Sequence, residues 1–386
     1  MTSPEITYFA RTNHHAKSVR FGIKQTDRLS HIYLVGKTGT GKSSLLRTFA
    51  LGDFASGTGF ALVDPHGDLV EPLAKGLAAL DPDRLIYLDA TDPWQPYGYN
   101  PLRRVRADKI PLAVSGLLET LKKLWPDAWG VRMEHVLRNS LHALLDRDDS
   151  KLPDILRLFR DDKFRKSVVR NIENDVVRDF WIKEFENYPA RLRADAAAPI
   201  QNKLGALLSD PTLYRILVEP KIDLSFRRIM DEGQMLLVNV AKGRLGEDSA
   251  LLLGGLIVST IGLAAFSRAE TQSRRPFFLH VDEFQNFTTL MLANMMSELR
   301  KYGVGLTLAH QYMHQLEPDI LHAVLGNAGT LISFRVGPED ASVLAKEFQP
   351  IFTVEDLLNL PNRRVYLKLM IDGTPSRPFS ATTLAA

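Results

Sequence analysis

Residues 36–43 read GKTGTGKS, and this segment constrains the fold of the chain more than any other. It fits the phosphate-loop pattern G-x-x-x-x-G-K-[ST], in which glycines let backbone N–H groups wrap closely around a phosphate chain. An apolar run, Ile32–Val35, precedes it and a helical run, Ser43–Ala50, follows it. The N-terminal amides of such a helix favour an anion. The segment therefore predicts a strand, a phosphate-binding turn and a helix, in that order.

The loop predicts ATP and magnesium as ligands. Lys42 is expected to reach the β- and γ-phosphates, and the Ser43 hydroxyl is expected to ligate magnesium. The alternative interpretation is a glycine-rich turn without a ligand. The residues of this segment predicted to bind the nucleotide are Gly36, Lys37, Thr38, Gly39, Thr40, Gly41, Lys42, Ser43 and Ser44.

A second apolar run, Phe277–Val281, ends in two carboxylates, Asp282 and Glu283. A buried strand delivers such residues to the carboxyl edge of a sheet, where open α/β sheets bind ligands. Asp282 is predicted to hold magnesium through its water shell. Glu283 is predicted to orient and polarise the attacking water, which requires a carboxylate free of the metal. The alternative is a pair of solvated acids at a strand end.

Two further strand ends carry polar side chains. Val304–Leu308 leads to Gln311, a predicted sensor of the γ-phosphate or the attacking water, with loop capping as the alternative. Phe60–Val63 leads to Asp64 and His66. These two residues either contribute to the nucleotide site or form a turn, and the sequence does not decide between these roles.

Two arginines are candidates for an arginine finger, which stabilises transition-state charge on a neighbouring subunit's nucleotide. Arg300 precedes the Val304–Leu308 run, and Arg335 lies at the end of another strand-like segment. For each of them the alternative role is a structural salt bridge.

The order of apolar runs predicts an α/β fold. Short continuous apolar runs alternate with helical stretches up to residue 107 and again from residue 219, which indicates a mostly parallel sheet covered on both faces. Residues 108–218 contain helical patterns such as Arg132–Asp146 and almost no strand-like run. We therefore predict an ATPase domain in two parts, 1–107 and 219–386, with an all-helical domain, 108–218, inserted between them. The ends, roughly 1–15 and 375–386, are expected to be loosely held.

Composition narrows the chemistry. The chain has no cysteine, which excludes disulfides, thiolate metal sites and cysteine nucleophiles and fits a reducing cytoplasm. A formal net charge of +3 permits nucleic-acid binding but hardly favours it. Basic pairs are the local exceptions, and each is more simply interpreted as a solvated surface: Arg103–Arg104, Lys122–Lys123, Arg274–Arg275 and Arg363–Arg364.

One segment resembles a membrane span. Ala250–Phe266 carries no charge, but it is shorter than the ~20 residues that a bilayer needs. Acidic residues precede it and an arginine follows it, as in a soluble helix that complements its own dipole. We predict a helix buried on both sides. The first residues of the chain contain no apolar stretch typical of a secretion signal.

The ordered set of motifs resembles the conjugative type IV secretion coupling-protein ATPases of the HerA–FtsK superfamily, from about Arg20 to Leu369. The phosphate loop alone is generic, and the other segments make the resemblance specific. The segments that carry it are HIYLVGKTGTGKSSLL (31–46), ALVDPHGDLV (61–70), YNPL (99–102), WGVRMEHVLRNSLHALL (129–145), VNVAKGRLGED (238–248), FLHVDEFQNF (278–287), LRKYGVGLTLAHQY (299–312) and GNAGTLISFRVGPEDA (326–341).

The resemblance implies a RecA-like core with an inserted all-helical domain. It further implies a hexameric ring with ATP between subunits and a central pore for DNA, and a partnership with a relaxase or secretion-system subunits. It assigns the roles predicted above to Lys42, Ser43, Asp282, Glu283 and Gln311, and it favours Arg335 as the arginine that acts on a neighbouring subunit.

The chain departs from this family in one respect. Coupling proteins commonly carry membrane helices before the phosphate loop, and here only ~30 residues precede it. We therefore expect a cytoplasmic protein without direct membrane insertion, associated with a membrane only through a partner. The expected function is ATP-driven translocation of DNA. The alternatives are a pilus-assembly or protein-secretion ATPase, or a nucleotide-dependent adaptor that recruits a relaxase or effector.

Overall fold

A mixed sheet of eleven strands organises the molecule in the computed structural model, which describes residues 6–13 and 18–385. In chain order the strands are β1 (Ile6–Thr12), β2 (Arg20–Lys24), β3 (Ile32–Val35), β4 (Gly59–Asp64), β5 (Leu85–Asp89), β6 (Tyr97–Gly98), β7 (Ile222–Asp223), β8 (Met235–Asn239), β9 (Phe277–Val281), β10 (Val304–His310), β11 (Thr330–Ser333), β12 (Arg364–Lys368), β13 (Met370–Ile371), β14 (Thr374–Pro375) and β15 (Phe379–Thr383).

The α-helices in this part of the chain cover both faces of the sheet. They are α1 (Gln25–Arg28), α2 (Lys42–Ala55), α3 (Val70–Leu80), α4 (Ile110–Leu124), α5 (Val131–Leu145), α6 (Leu152–Arg160), α7 (Asp162–Val169), α8 (Asp175–Asp179), α9 (Ala190–Leu208), α10 (Pro211–Leu217), α11 (Phe226–Glu232), α12 (Lys242–Leu245), α13 (Glu247–Phe266), α14 (Leu290–Leu299), α15 (Pro318–Asn327), α16 (Pro338–Phe348) and α17 (Val354–Leu358).

The large sheet is mostly parallel. Its strand order is β2-β1-β15-β12-β11-β3-β10-β9-β4-β8-β5, and the run from β11 to β5 is parallel throughout. The remaining four strands pair in antiparallel fashion at one side. Strands β3, β4, β8, β9, β10 and β11 are buried at every residue, because helices cover both of their faces. The predicted α/β fold class is confirmed.

The long middle segment is helical. Between β6 and β7, every regular element that the structure describes is a helix, from Ile110 at the start of α4 to Leu217 at the end of α10. Side chains of these helices share one hydrophobic core with Tyr33 and Val35 on one face of the sheet. The second core, on the other face, packs α2 and α3 against the strands. The helical segment is therefore anchored on the sheet, and its division into a separate domain at residues 108 and 218 stays a prediction.

Helix α13 contains the predicted apolar segment. Within the described residues, one helix, Glu247–Glu270, is long and apolar enough to cross a membrane, and 67% of its apolar window is buried inside the protein. It packs against α4, α11 and α14. Glu247 and Asp248 lie in its first turn, where they complement the helix dipole. The prediction of a buried helix agrees with this packing.

The expectation of loosely held ends is wrong for their described parts. Strand β1 and strand β15 both belong to the large sheet, and Ala10 pairs with Thr383. Phe9, Ala10 and Ala381 are fully buried, so both strands contribute side chains to the hydrophobic core. Residues 1–5, 14, 15 and 386 of the predicted loose segments lie outside the described residues.

Candidate nucleotide-binding site

The register of three parallel strands brings the predicted motifs to one edge of the sheet. On β10, Leu308 lies opposite Tyr33 of β3 and opposite Val281 of β9, and His310 lies opposite Val35. The residues that follow each strand are therefore neighbours. They are the phosphate loop after β3, Asp282 and Glu283 after β9, and Gln311 after β10.

The phosphate loop links β3 to α2 in a conformation that needs its glycines. Gly39 and Gly41 have φ angles of 75° and 124°, in the region that side chains rarely adopt. A Cβ atom on Gly36 would lie 2.5 Å from the Phe334 Cβ. Gly41 caps the 14-residue helix α2, so the first amides of this helix face the loop. An anion in the loop gains both these donors and the helix dipole.

Lys42 is a buried cation that lines the inside of the loop. Its Nζ donates hydrogen bonds to the carbonyl oxygens of Gly36, at 2.6 Å, and Lys37, at 3.2 Å. Burial lowers the pKa of Lys42, and the carboxylates of Glu283 and Asp282 oppose that shift. A desolvated ammonium surrounded by loop backbone is the arrangement that a phosphate group would complement.

Ser43 and Asp282, the two predicted magnesium ligands, lie in contact with each other. The Ser43 Oγ donates to the Asp282 Oδ2 at 3.1 Å, although the two residues are 239 positions apart in sequence. Burial, together with the negative charges of Glu283 and Asp64, raises the pKa of Asp282 to about 6. A hydroxyl and a carboxylate beside a phosphate loop are the oxygen ligands that magnesium prefers. The residues present thus fit a magnesium nucleotide.

Glu283 is held by two amide side chains. The Gln311 Nε2 donates to the Glu283 Oε1 at 2.7 Å, and the Gln285 Nε2 donates to the Glu283 Oε2 at 2.8 Å. The Thr38 Oγ1 donates to the Gln311 Oε1 at 2.8 Å, so Gln311 links Glu283 to the phosphate loop. The backbone of Glu283 is left-handed, with φ 47° and ψ 50°. A non-glycine residue in this conformation is strained by about 1–2 kcal/mol.

The end of β10 is anchored beneath this network. His310 is buried and bonded to the Tyr33 hydroxyl, and its ring lies 4.9 Å from that of Phe284. Burial lowers the pKa of His310 to about 3, and the positive charge of Lys42 acts in the same direction, so the ring is neutral. The backbone that carries Gln311 is therefore fixed by packing and not by charge.

Asp64 lies next to the site but uses its carboxylate locally. Its oxygens accept hydrogen bonds from the backbone N–H groups of His66, Leu69 and Val70, at 2.8, 2.8 and 3.2 Å. These contacts shape the turn into α3, which is one of the two roles that the sequence allowed for Asp64. The side chain of His66 is exposed. Nucleotide contacts by Asp64 and His66 stay predictions.

The two candidate arginines occupy different edges of the sheet. Arg335 lies beside its own phosphate loop, because its carbonyl oxygen accepts from the Lys37 N–H at 2.8 Å. Its guanidinium donates to the Leu360 carbonyl oxygen at 3.3 Å and to the Asn362 Oδ1 at 3.0 Å. Arg300 is exposed at the end of α14, just before β10 begins, and so lies at the opposite edge of the sheet.

Four residues at the site were not predicted. Gln285 orients Glu283, as described above. The Lys242 Nζ donates to the Asn286 Oδ1 at 2.8 Å, and Asn286 in turn donates to the Glu283 carbonyl oxygen at 2.9 Å. The Arg363 N–H donates to the Thr40 carbonyl oxygen at 2.8 Å, within the phosphate loop. Lys242 lies in the quoted VNVAKGRLGED segment, and Gln285 and Asn286 lie in the quoted FLHVDEFQNF segment, so these two segments were the available signals.

Most of the basic pairs bond within the protein. Arg103 and Arg104 pair with Asp223 and Asp148, and the guanidinium groups of Arg274 and Arg275 donate to backbone carbonyl oxygens. These arginines are interpreted from the sequence simply as solvated surface, and the structure adds that they also make ion pairs or hydrogen bonds within the protein. They identify no surface dedicated to nucleic acid.

Comparisons with known proteins place this site in a known fold. A family described as the TraM recognition site of TraD and TraG matches residues 276–348, which contain β9, β10 and β11. A comparison with curated protein sequences gives no match.

Solved structures match over almost the whole chain. The conjugative coupling protein TrwBdeltaN70 has a TM-score of 0.70 and 16% identity, covering 100% of this chain and 95% of that one. TrwB in complex with ADP and Mg²⁺ has a TM-score of 0.66 and 16% identity, over 99% and 95%. VirB4 of Thermoanaerobacter pseudethanolicus has a TM-score of 0.68 and 14% identity, over 98% and 96%. These matches show the fold, and together with the family match over residues 276–348 they support the resemblance predicted from the motifs.

Proposed function

We propose that the protein is an ATP-hydrolysing motor of a type IV secretion system, which moves DNA or a protein–DNA substrate through a ring of identical subunits. The contact between Gln311 and Glu283 carries the proposal, because it joins the predicted sensor, the predicted base and, through Thr38, the phosphate loop. The fold match to a coupling protein over the whole chain supports the kind of motor.

The residues divide the work of hydrolysis. Bound ATP with magnesium supplies the phosphoryl group and the cation that neutralises developing charge. Lys42 and the loop amides would bind the phosphates, and Ser43 and Asp282 would hold the metal. Glu283 would accept a proton from the attacking water, since Gln285 and Gln311 orient its carboxylate. Gln311 contacts both the base and the phosphate loop, so loss of the terminal phosphate would change the contacts of Gln311 and thereby the position of the end of β10.

We infer the oligomer and its partners from the same resemblance. We propose a homo-oligomeric ring, hexameric as the resemblance implies, with DNA in its pore and an arginine of each subunit at the neighbouring site. The family description that matches residues 276–348 names a recognition site for TraM, which supports a relaxosome protein or relaxase as a partner. We place the protein in the cytoplasm, held at the membrane by a secretion-system subunit.

A protein-handling ATPase is the second candidate. The fold match to VirB4 is as extensive as the match to TrwB, so the fold does not select the substrate. A pilus-assembly or protein-secretion role, or an adaptor that uses ATP only as a timer, would keep the same nucleotide site.

Steady-state ATP hydrolysis by the purified protein tests these functions. The rate is measured without DNA and with long single-stranded or double-stranded DNA, at several salt concentrations. Stimulation by DNA that weakens as salt rises supports a motor that contacts the phosphate backbone. Hydrolysis that ignores both forms of DNA favours the protein-handling ATPase, and very slow hydrolysis with tight partner binding favours the adaptor. A protein that does not hydrolyse ATP would overturn the proposal.

A further inference from the structure

Helix α4 of the helical segment touches the loop that follows the predicted catalytic base. The Lys123 Nζ donates to the carbonyl oxygens of Gln285 and Thr288, the second at 2.8 Å. One turn earlier on α4, the Glu119 Oε2 accepts from the Met291 N–H at 2.7 Å, at the start of α14. Residues four apart lie on one face of a helix. Two side chains of one helix face therefore hold both ends of residues 285–291.

This stretch determines where Glu283 points. Gln285 is two residues beyond Glu283, and its side-chain amide donates to the Glu283 carboxylate while its backbone oxygen accepts from Lys123. Asn286 bonds the Glu283 carbonyl oxygen from the same loop. Because the left-handed backbone of Glu283 is strained, its conformation persists only where surrounding contacts enforce it. Lys123 supplies one of those contacts from outside the sheet.

The contact contributes little to folding stability. Lys123 is exposed as a whole residue, although burial of its ammonium group lowers its pKa to about 8, and hydrogen bonds made by such partly exposed groups contribute little to stability. Lys122, its neighbour in sequence, is also exposed, and no hydrogen bond of its side chain occurs in the described part of the chain. The Lys122–Lys123 pair therefore provides one lysine that bonds the loop after Glu283 and a neighbouring lysine without such a bond.

We propose that Lys123, together with Glu119, is a positioning residue that fixes the loop after Glu283, so that the rate of ATP hydrolysis depends on how the helical segment sits on the sheet. This inference rests on the proposed ATPase function. It gives a physical route by which a substrate or partner bound to the helical segment would change the rate of hydrolysis without touching the nucleotide.

The test compares steady-state kinetics of Lys123→Met, Lys123→Arg and Lys122→Met with the parental protein. Methionine keeps the unbranched apolar stem but removes the donor, and arginine restores a donor. Lys123→Met is expected to lower kcat about 10-fold, which corresponds to about 1.4 kcal/mol. Its KM for ATP, its affinity for a fluorescent ATP analogue and its Tm are expected to stay near parental values. Lys123→Arg should recover most of the rate, and Lys122→Met should match the parental protein.

Hydrogen–deuterium exchange gives a readout that does not need turnover. Amides of residues 285–291 are expected to exchange faster in Lys123→Met and in Glu119→Ala, and at the parental rate in Lys122→Met. An active parental protein whose Lys123→Met variant has unchanged kcat and unchanged exchange overturns this inference alone. Equal loss of rate in Lys122→Met and Lys123→Met also overturns it. If the parental protein does not hydrolyse ATP, the proposed function is overturned instead. If exchange in Lys123→Met is then also unchanged, the positioning role of Lys123 is overturned as well.

Discussion

The Gln311 side chain donates to the Glu283 carboxylate at 2.7 Å, and its own carbonyl accepts from Thr38 of the phosphate loop. These contacts connect the ends of β10, β9 and β3 through a single carboxamide. Gln311 is therefore placed to couple the state of the phosphate loop to the orientation of the base.

Replacement of Lys42 by alanine is expected to abolish ATP hydrolysis, because it removes the buried cation from the phosphate loop. Hydrolysis and binding of a fluorescent ATP analogue are measured on the same preparation. Lys346→Ala, at an exposed position of α16, is the control and should keep the parental rate. Normal turnover by Lys42→Ala would contradict the assignment of the phosphate loop.

Glu283→Gln is expected to bind ATP but to hydrolyse it ~10²–10⁴-fold more slowly, which is the usual contribution of a general base. The glutamine can still accept the hydrogen bond from Gln311, whereas the Gln285 carboxamide must turn over so that its oxygen accepts from the new amide nitrogen. Single-turnover hydrolysis separates the chemical step from binding. Glu298→Gln, an exposed acid on α14, is the matched control. If Glu283→Gln hydrolysed ATP at the parental rate, the base would have to lie elsewhere.

Gln311→Glu is expected to lower kcat by about 10- to 100-fold, because it replaces a donor to Glu283 with a second carboxylate and costs about 1–3 kcal/mol. Like charges at this distance also raise the pKa of one partner and so protonate a carboxyl group. Nucleotide affinity should change much less. Gln315→Glu, at an exposed nearby position, serves as the control. An unaffected kcat would mean that Gln311 only caps its loop.

Asp282→Asn is expected to stabilise the nucleotide-free protein at pH 8 by up to about 3 kcal/mol, while it removes magnesium-dependent nucleotide binding. The pKa of Asp282 is raised to about 6 in the folded protein, so protonation of this carboxyl group favours the folded state. The stability gained from protonation is fully present below about pH 4 and is lost as the pH rises through 6. The stability difference between parental protein and variant should shrink from pH 8 to pH 5. Urea unfolding without magnesium measures it.

The control for this pH dependence is Asp195→Asn, a substitution at an exposed acid of α9. Its stability should follow the parental protein at every pH. A less stable Asp282→Asn protein throughout the range would show that the ionised carboxylate is compensated in the folded state.

Arg300→Ala is expected to lose 10³–10⁵-fold in kcat, and mixing with Lys42→Ala subunits is expected to restore part of the activity. Arg300 lies roughly 20 Å from its own site, about the length of β10, and its guanidinium makes no hydrogen bond to other described residues. The Arg335 guanidinium holds residues 360 and 362. Rescue of Arg335→Ala by mixing, without rescue of Arg300→Ala, would support the arginine that the resemblance favours.

The sequence predicted the parts of the fold that are buried on both faces. Strands β3, β4, β9 and β10 have continuous apolar runs because helices cover them on each side. Strands β1 and β15 lie in the antiparallel part of the sheet, and their alternating polar residues resembled a loose end. Their pairing depends on a contact between residues 10 and 383, and no local pattern reports such a contact.

In the candidate site, too, local motifs predicted some contacts, while contacts between residues far apart in the sequence could not be predicted. Motifs at strand ends predicted that Ser43 and Asp282 lie together, because parallel strands present their carboxyl ends at one edge. The contact of Lys123 with Gln285 joins residues 162 positions apart across two elements, and the sequence around Lys123 resembles any solvated helix face. The sequence alone cannot show how a side chain is oriented by backbone oxygens that are far away along the chain, and this information comes only from the folded structure.

The left-handed backbone of Glu283 implies that activity and durability are in conflict at this position. Glycine adopts this conformation without strain, and asparagine adopts it more readily than glutamate does. Either substitution removes the base and relieves this strain, but it also removes the carboxylate that accepts from Gln311 and Gln285. Selection for thermal robustness favours such a replacement only where the relief of strain outweighs the loss of these two bonds, and any variant stabilised in this way would be inactive.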